Sequence, residues 1–417
     1  MKQLFFLICI TICSCSNAQN NAKNTQPSTN ESTTHSTPNK NIETQEAPIV
    51  VGAAQSWRYL NAFKDKKVGL VANQSSIVGK QHLLDFLLEN QIQVTKIFTP
   101  EHGFRGNVDA GELISNDKDS KTGLPIISLY GKSKKPSAAQ FADLDIIVFD
   151  MQDVGARFYT YYCTMFYVMQ TCAETNKTLW LLDRPNPNGD YVAGPILNMK
   201  YKSFVGLLPI PVVHGCTLGE LAQMINGENW LGNNLLCPLH VVAVENYTHQ
   251  TPYSLPVKPS PNLPNDISIR LYPSLCFFEA TSMSVGRGTD FPFQVVGYPD
   301  ANMGDFSFTP RSIPGAASDP KLKGQLCHGT DYRSEGLNHR FTLEPFMNYY
   351  HKFSTEESFV DRKNWFQLLI GNDQTLSLIA SGCSWEELEN SWKKELRTYL
   401  EMRKKYLLYK DDFELSE

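Results

Sequence analysis

Residues 99–106, TPEHGFRG, place a carboxylate, an imidazole and a guanidinium within five positions, as Glu101, His102 and Arg105. They follow the strand-like run QVTKIF at 93–98, and two glycines let backbone approach closely. A carboxyl group in such company can give or take a proton, whereas a lone surface or capping acid has no need of it. Four more polar clusters stand at the ends of apolar runs. Asp150 and Asp153 bracket the end of DIIVFDMQD, Asp153 serving either as a cleft acid or as a cap for the next helix. Arg157 comes with Phe158, Tyr159 and Tyr161, a cation with aromatic faces that suits a sugar cleft or helix–sheet packing. Asp183 and Arg184 precede the rigid turn PNPNG, as a site pair or a self-satisfied one. His214 and Gly215 end a further apolar run, where a histidine is structural or catalytic. Later in the chain Glu279 precedes Gly286-Arg287-Gly288, which exposes backbone N–H groups and presents Arg287 as an anion clamp.

These residues favour one chemistry over others. GxGxxG, a complete P-loop, GxSxG and HExxH are all absent, so no nucleotide cofactor, serine nucleophile or metal is expected. Paired carboxylates with aromatic surfaces suit glycoside hydrolysis, in which one acid protonates the leaving oxygen and a second carboxylate activates water or attacks. Arginines in the same cleft suit a sugar that carries a carboxylate.

The elements that must position them read as β then α, repeatedly. Strands are expected at 66–73, 93–99, 125–131, 145–153, 178–186, 210–215 and 239–247. Helices are expected at 80–91, 137–144, 160–176 and 217–230, the last opened by a capping box of Thr217 and Glu220. Strands that are apolar throughout, alternating with helices, predict an α/β fold: a Rossmann-like, doubly wound, mostly parallel sheet over residues 48–250. Such sheets bind ligands at the carboxyl ends of their strands, where the polar clusters fall. The Pro-rich segment 251–264 predicts a border to a smaller α+β C-terminal domain, residues 251–417, closed by an amphipathic helix over 384–409.

Composition sets outer limits. The 417 residues carry a formal charge of −5 and are 41% hydrophobic, with no basic field to attract nucleic acid. Residues 1–18 have a signal-peptide pattern, one Lys and then an apolar run. Ile12-Cys13-Ser14-Cys15 resembles a lipobox, which would lipidate Cys15; Ser16-Asn17-Ala18 fits ordinary cleavage instead. Both imply export, to the periplasm or the outer membrane, with membrane contact only through the anchor. Residues 19–47 are polar and predict a disordered tether. Seven cysteines beyond the leader, odd in number and spread out, do not form a disulfide framework.

The ordered series GLVANQSS, TPEHGFRG, FDMQDVGARFYTY, LLDRPNPNG, PSPNLP, FFEATSMSVGRGTDFPF and GQLCHGT resembles the bacterial exo-β-N-acetylmuramidases of the NamZ type, long filed as a domain of unknown function. The resemblance covers nearly all of residues 50–410. It implies a glycoside hydrolase with its site between a Rossmann-like part and a smaller C-terminal part. The implied substrates are peptidoglycan fragments such as the MurNAc–GlcNAc disaccharide, from which N-acetylmuramic acid is removed at the non-reducing end. On it, Glu101 is the acid or base and Glu279, or else Asp153, the second carboxylate. Arg157, Arg184 and Arg287 are candidates for binding the substrate's lactyl carboxylate or for orienting the acids, and His102 for tuning Glu101 or binding substrate. Arg105, Asp150, Tyr159, Asp183 and His214 complete the expected substrate-binding set. The other class in play is a surface-anchored muropeptide-binding lipoprotein without turnover.

Overall fold

Strands apolar at every position must be covered on both faces, and the chain does this with one sheet and two layers. The structure, a computed structural model, describes residues 47–100, 104, 117–131 and 133–415. Its main sheet contains β1 (Val68–Ala72), β2 (Val94–Thr99), β3 (Asp117–Lys118), β4 (Pro125–Ser128), β5 (Ile146–Asp150), β6 (Thr178–Leu182) and β7 (Leu239–Val242). The order is β3-β4-β2-β1-β5-β6-β7, and every pairing is parallel except β3 on β4. The chain builds outward from β1 through β2 and β4, then returns to lay β5 against the other side of β1, with Ala72 opposite Asp150. That reversal makes the carboxyl ends of β1 and β5 the topological switch point.

Side chains alternate between the two layers. Ile147 and Phe149 face a core shared with α2 (Tyr161–Thr175) and α3 (Leu218–Gly227). Ile146 and Val148 face the opposite core, with Tyr59, Phe63 and the leucines 83, 84 and 87 of α1 (Leu83–Glu89). The capping box of Thr217 and Glu220 forms as expected and starts α3. The smaller C-terminal part has an antiparallel sheet of β8 (Val295–Tyr298), β9 (Phe306–Phe308) and a central β10 (Cys327–Asp331), with helices around it.

Two expected elements differ. Residues 210–215 form no strand: Val213 makes only isolated bridges to Ala156 and Ala193, and Pro211 lacks the N–H a ladder needs. The single closing helix is broken into α6 (Trp385–Asn390) and α7 (Lys393–Arg403), following α4 (Asp266–Leu275) and α5 (Lys363–Ile370). At the break, the Ser391 hydroxyl donates back to the Leu388 carbonyl at 2.6 Å. The stripe of Leu388, Trp392 and Leu396 is nevertheless buried. Beyond α7, residues 403–411 strap back over the main sheet. Arg403 pairs with Asp411 and donates to the Gly215 carbonyl, and Tyr409 donates to Asp183 at 2.6 Å.

One buried cation joins the two parts. Arg157 has no solvent exposure and, among the described residues, no carboxylate partner. Its Nη1 donates to the Pro195 and Ile210 carbonyls at 2.7 and 2.8 Å. Its Nη2 donates to Leu369 and Ile370 at 2.9 and 2.7 Å, the last carbonyls of α5. A helix leaves those acceptors without backbone donors, and a cation there also meets the negative end of its dipole. Burial pulls the guanidinium pKa down to about 10, so it stays charged near neutrality. Replacement by Met would strand four buried acceptors. Arg157→Met is expected to cost about 3 kcal/mol or more, read as a lower urea midpoint with an unchanged slope.

Candidate active site

The carboxyl ends of β1, β5 and β6 are stitched together by side chains. Asn73 accepts from the backbone and hydroxyl of Ser75, and the Ser75 hydroxyl in turn accepts from the Gln152 backbone at 3.0 Å. The Ser76 hydroxyl donates to the Asp150 carbonyl. Gln152 reaches the Pro185 carbonyl at 2.7 Å. Over this floor runs the Pro-rich segment 251–264. The Pro259 carbonyl accepts from Gln74 at 3.1 Å, from Tyr159 at 2.7 Å and from Tyr161 at 3.3 Å. The segment expected as a border is therefore also a wall of the site.

The strand-end charges mostly build this floor. Arg184 grips Asp150 with two parallel bonds, Nε to Oδ1 at 2.6 Å and Nη2 to Oδ2 at 2.9 Å, and holds the Ile77 carbonyl as well. Both side chains are buried, so the pair is closed across the switch point. Asp183 lies at the amino end of α3, where it accepts from the Thr217 hydroxyl, the Gly219 backbone and Tyr409. Burial pushes its carboxyl up to about 6, against the pull of those hydrogen bonds. Arg157 binds the four carbonyls described above. None of these four, expected as site residues, turns its charge toward a cavity. Tyr159 keeps its hydroxyl on Pro259 and contributes ring surface. Glu101, His102 and Arg105 lie outside the described residues; Glu101 comes two positions after Thr99, the end of β2.

Asp153 and His214 also lie beneath the surface. Asp153 Oδ1 accepts from the Gly155 backbone at 2.7 Å, which closes the local turn. The His214 Nδ1 accepts from the Cys216 backbone at 3.2 Å, so the proton of the neutral ring sits on Nε2, 3.9 Å from Asp153. Among the described residues, neither that Nε2 nor the second Asp153 oxygen has a hydrogen-bond partner.

The charge that does face open space comes from the C-terminal part. A cavity of about 880 Å³ lies between the two parts, lined by Phe158 and Thr160 on one side and by Tyr272, Glu279 and Arg287 on the other. Arg287 Nε donates to Glu279 Oε1 at 2.5 Å. Burial opposes the Arg287 charge, and Glu279 more than restores it, raising the guanidinium pKa. Lys321, Asp361 and Arg362 close the far wall, and Arg362 donates to the Glu279 carbonyl. A smaller chamber of about 80 Å³ opens beside it and shares Phe158, Thr160, Tyr272 and Arg287. Sequence inspection missed Tyr272, Lys321 and Arg362, which stand in runs with no other chemical signal. Ser260 and Asn262 line the small chamber from within PSPNLP, an ordered Asn-Pro motif that could have pointed to them.

Burial of the Asp153–His214 pair has a thermodynamic signature. Burial raises the Asp153 carboxyl to about 7, while burial and the nearby cations Arg403 and Arg157 depress the His214 imidazole to about 3. As pH rises from about 4 to 7, unfolded Asp153 ionises while the folded carboxyl keeps its proton, so its burial increasingly destabilises the fold. As pH falls below about 6.5, the unfolded histidine gains a proton that the folded ring refuses, and stability falls again. Asp153→Asn keeps the acceptor for Gly155 and removes the alkaline loss. Its stability relative to the parent should rise by roughly 3 kcal/mol between pH 4 and pH 8 in urea titrations.

Comparison with known proteins agrees with this architecture. The N-terminal domain of the exo-beta-N-acetylmuramidase NamZ family matches residues 68–267, and its C-terminal domain matches residues 270–409. The peptidoglycan beta-N-acetylmuramidase NamZ of Bacillus subtilis (strain 168) is 37% identical, over 84% of this chain and 89% of that protein. Two crystal structures of DUF1343-family proteins from Bacteroides fragilis NCTC 9343 share the fold. One has 47% identity and a TM-score of 0.81, covering 88% of this chain and 100% of the other. The second has 28% identity and a TM-score of 0.76, covering 87% and 99%. The chain belongs to the NamZ family of exo-β-N-acetylmuramidases, which are glycoside hydrolases.

Proposed function

We propose that this protein releases N-acetylmuramic acid from the non-reducing end of peptidoglycan fragments such as the MurNAc–GlcNAc disaccharide. The observation that carries the proposal is the cavity of about 880 Å³ between the two parts, into which Glu279 and Arg287 project as a pair. It pairs a carboxylate for the chemistry with a cation for an acidic sugar. Tyr272, Phe158 and Phe204 supply the aromatic surface that a pyranose ring packs against.

In this scheme Glu101, carried just past the end of β2, is the acid that protonates the leaving oxygen. Glu279 is the second carboxylate, acting on the opposite side of the anomeric carbon. His102 and Arg105 sit beside Glu101 in sequence and orient it or the sugar. The signal-peptide pattern of residues 1–18 and the polar composition of residues 19–47 support an exported enzyme, anchored through Cys15 or secreted, which would meet peptidoglycan fragments outside the cytoplasm.

Incubation with MurNAc–GlcNAc should release free N-acetylmuramic acid and N-acetylglucosamine, detected by mass spectrometry. Glu101→Gln should reduce that release by about 10²–10⁴-fold while the circular-dichroism melt stays that of the parent. Tight binding of the disaccharide with no product after hours would support the non-hydrolytic alternative.

A further inference from the structure

We infer that Arg287 is the residue that distinguishes an acidic sugar from a neutral one, and that the chamber of about 80 Å³ beside it receives the sugar's carboxylate-bearing arm. The inference rests on the proposed function and assigns a specificity-determining residue within it.

Lys321 and Arg362 line the larger cavity, but the small chamber is lined by Arg287 and by neither of them. Of the three arginines that the sequence marks for a substrate carboxylate, two are closed off. Arg157 has both terminal nitrogens on backbone carbonyls and no exposure. Arg184 is closed onto Asp150 and Ile77. Among the described residues Arg287 donates only through Nε, to Glu279, and its side chain is 25% exposed. It lines both the large cavity and the small chamber, and its two terminal nitrogens make no bond to a described residue.

The backbone is shaped to present that side chain. Gly286 and Gly288 flank Arg287 with φ of 77° and 80°, a region that side chains rarely adopt. A β-carbon on Gly288 would come within 2.4 Å of the Arg311 carbonyl, and one on Gly286 within 2.7 Å of Val295. Phe293 itself is held at φ 55°, an unfavourable conformation for an aromatic residue, and its ring lies 4.9 Å beneath the guanidinium. Three left-handed residues within eight positions thus fix one arginine, flanked by a carboxylate and floored by a ring.

The chamber has matching size and polarity. At about 80 Å³ it corresponds to about three waters at roughly 30 Å³ each, the scale of a short acidic arm rather than of a second sugar. Thr160, Ser260 and Asn262 line it with Arg287. In N-acetylmuramic acid the lactyl arm leaves C3 of the ring whose C1 reacts. A carboxylate reader must then stand next to a catalytic carboxylate, as Arg287 stands next to Glu279.

The test uses the full chain and three ligands: N-acetylmuramic acid, its lactyl carboxamide and N-acetylglucosamine, with affinities from calorimetry. The parent should prefer the acid over the carboxamide by about 10- to 100-fold. Arg287→Gln should bring that ratio close to one, and Arg287→Lys should restore part of it. Without any substitution, N-acetylmuramic acid but not the carboxamide should protect Arg287 from phenylglyoxal, read by peptide mass spectrometry. Equal affinity of the parent for acid and carboxamide, a full preference in Arg287→Gln, or unprotected Arg287 would overturn the inference while leaving the hydrolytic function standing. No release of N-acetylmuramic acid from the disaccharide by the parent would overturn both.

Discussion

A buried positive charge that binds four carbonyls, with no counter-ion among the described residues, ties the two halves of this protein together. Arg157 sits at the turn that carries the chain from β5 into α2, and its donors end on α5 of the other half. The same turn also meets the C-terminal part directly, Phe158 packing edge-on against Tyr272 and Phe277 and Tyr159 against Tyr272. Arg157 thus adds four polar contacts to an apolar seam between the two walls of the cavity. Backbone carbonyls suit this role because they are fixed by a helix end and by extended chain, which leaves few other geometries for the five donors.

The same economy of charge runs through the floor. Asp150 and Arg184 cancel across the switch point, and Asp183 is enclosed by a helix end and a tyrosine. A parallel sheet exposes carbonyls and helix amino ends at its carboxyl edge, and buried ions there are tolerated only when fully bonded. With these floor charges internally satisfied, the charges among the described residues that face the large cavity come from the opposite wall, with Glu279 and Arg287 foremost.

The sheet was legible in the sequence because its evidence is redundant. Each strand repeats the same apolar signal, and the capping box at Thr217 and Glu220 marks a helix start by chemistry alone. Residues 210–215 misled because an apolar run with Pro211 meets the composition of a strand without being able to pair as one. The break at Ser391 was hidden because the buried stripe continues through it. The polar ends of β5 and β6 were located correctly, but sequence has no marker that separates a charge closed on a neighbour from one open to a ligand. Asp150, Arg184 and Arg157 look the same as Arg287 in one dimension; only their partners, 34 to 213 positions away, tell them apart. Gly-Arg-Gly is the exception, since glycines on both sides of an arginine already announce an unusual backbone.

The strap formed by residues 403–411 bears on how the protein is made. The carboxyl of Asp183 is enclosed only when Tyr409 arrives, 226 positions later in the chain. A ribosome therefore delivers the entire sheet before the group that completes its buried end. Until the strap docks, Asp183 has its bonds to Thr217 and Gly219 but lacks the one from Tyr409. The buried end of the sheet is thus completed by a contact of long sequence separation, whose loop-closure entropy is lost before the contact forms.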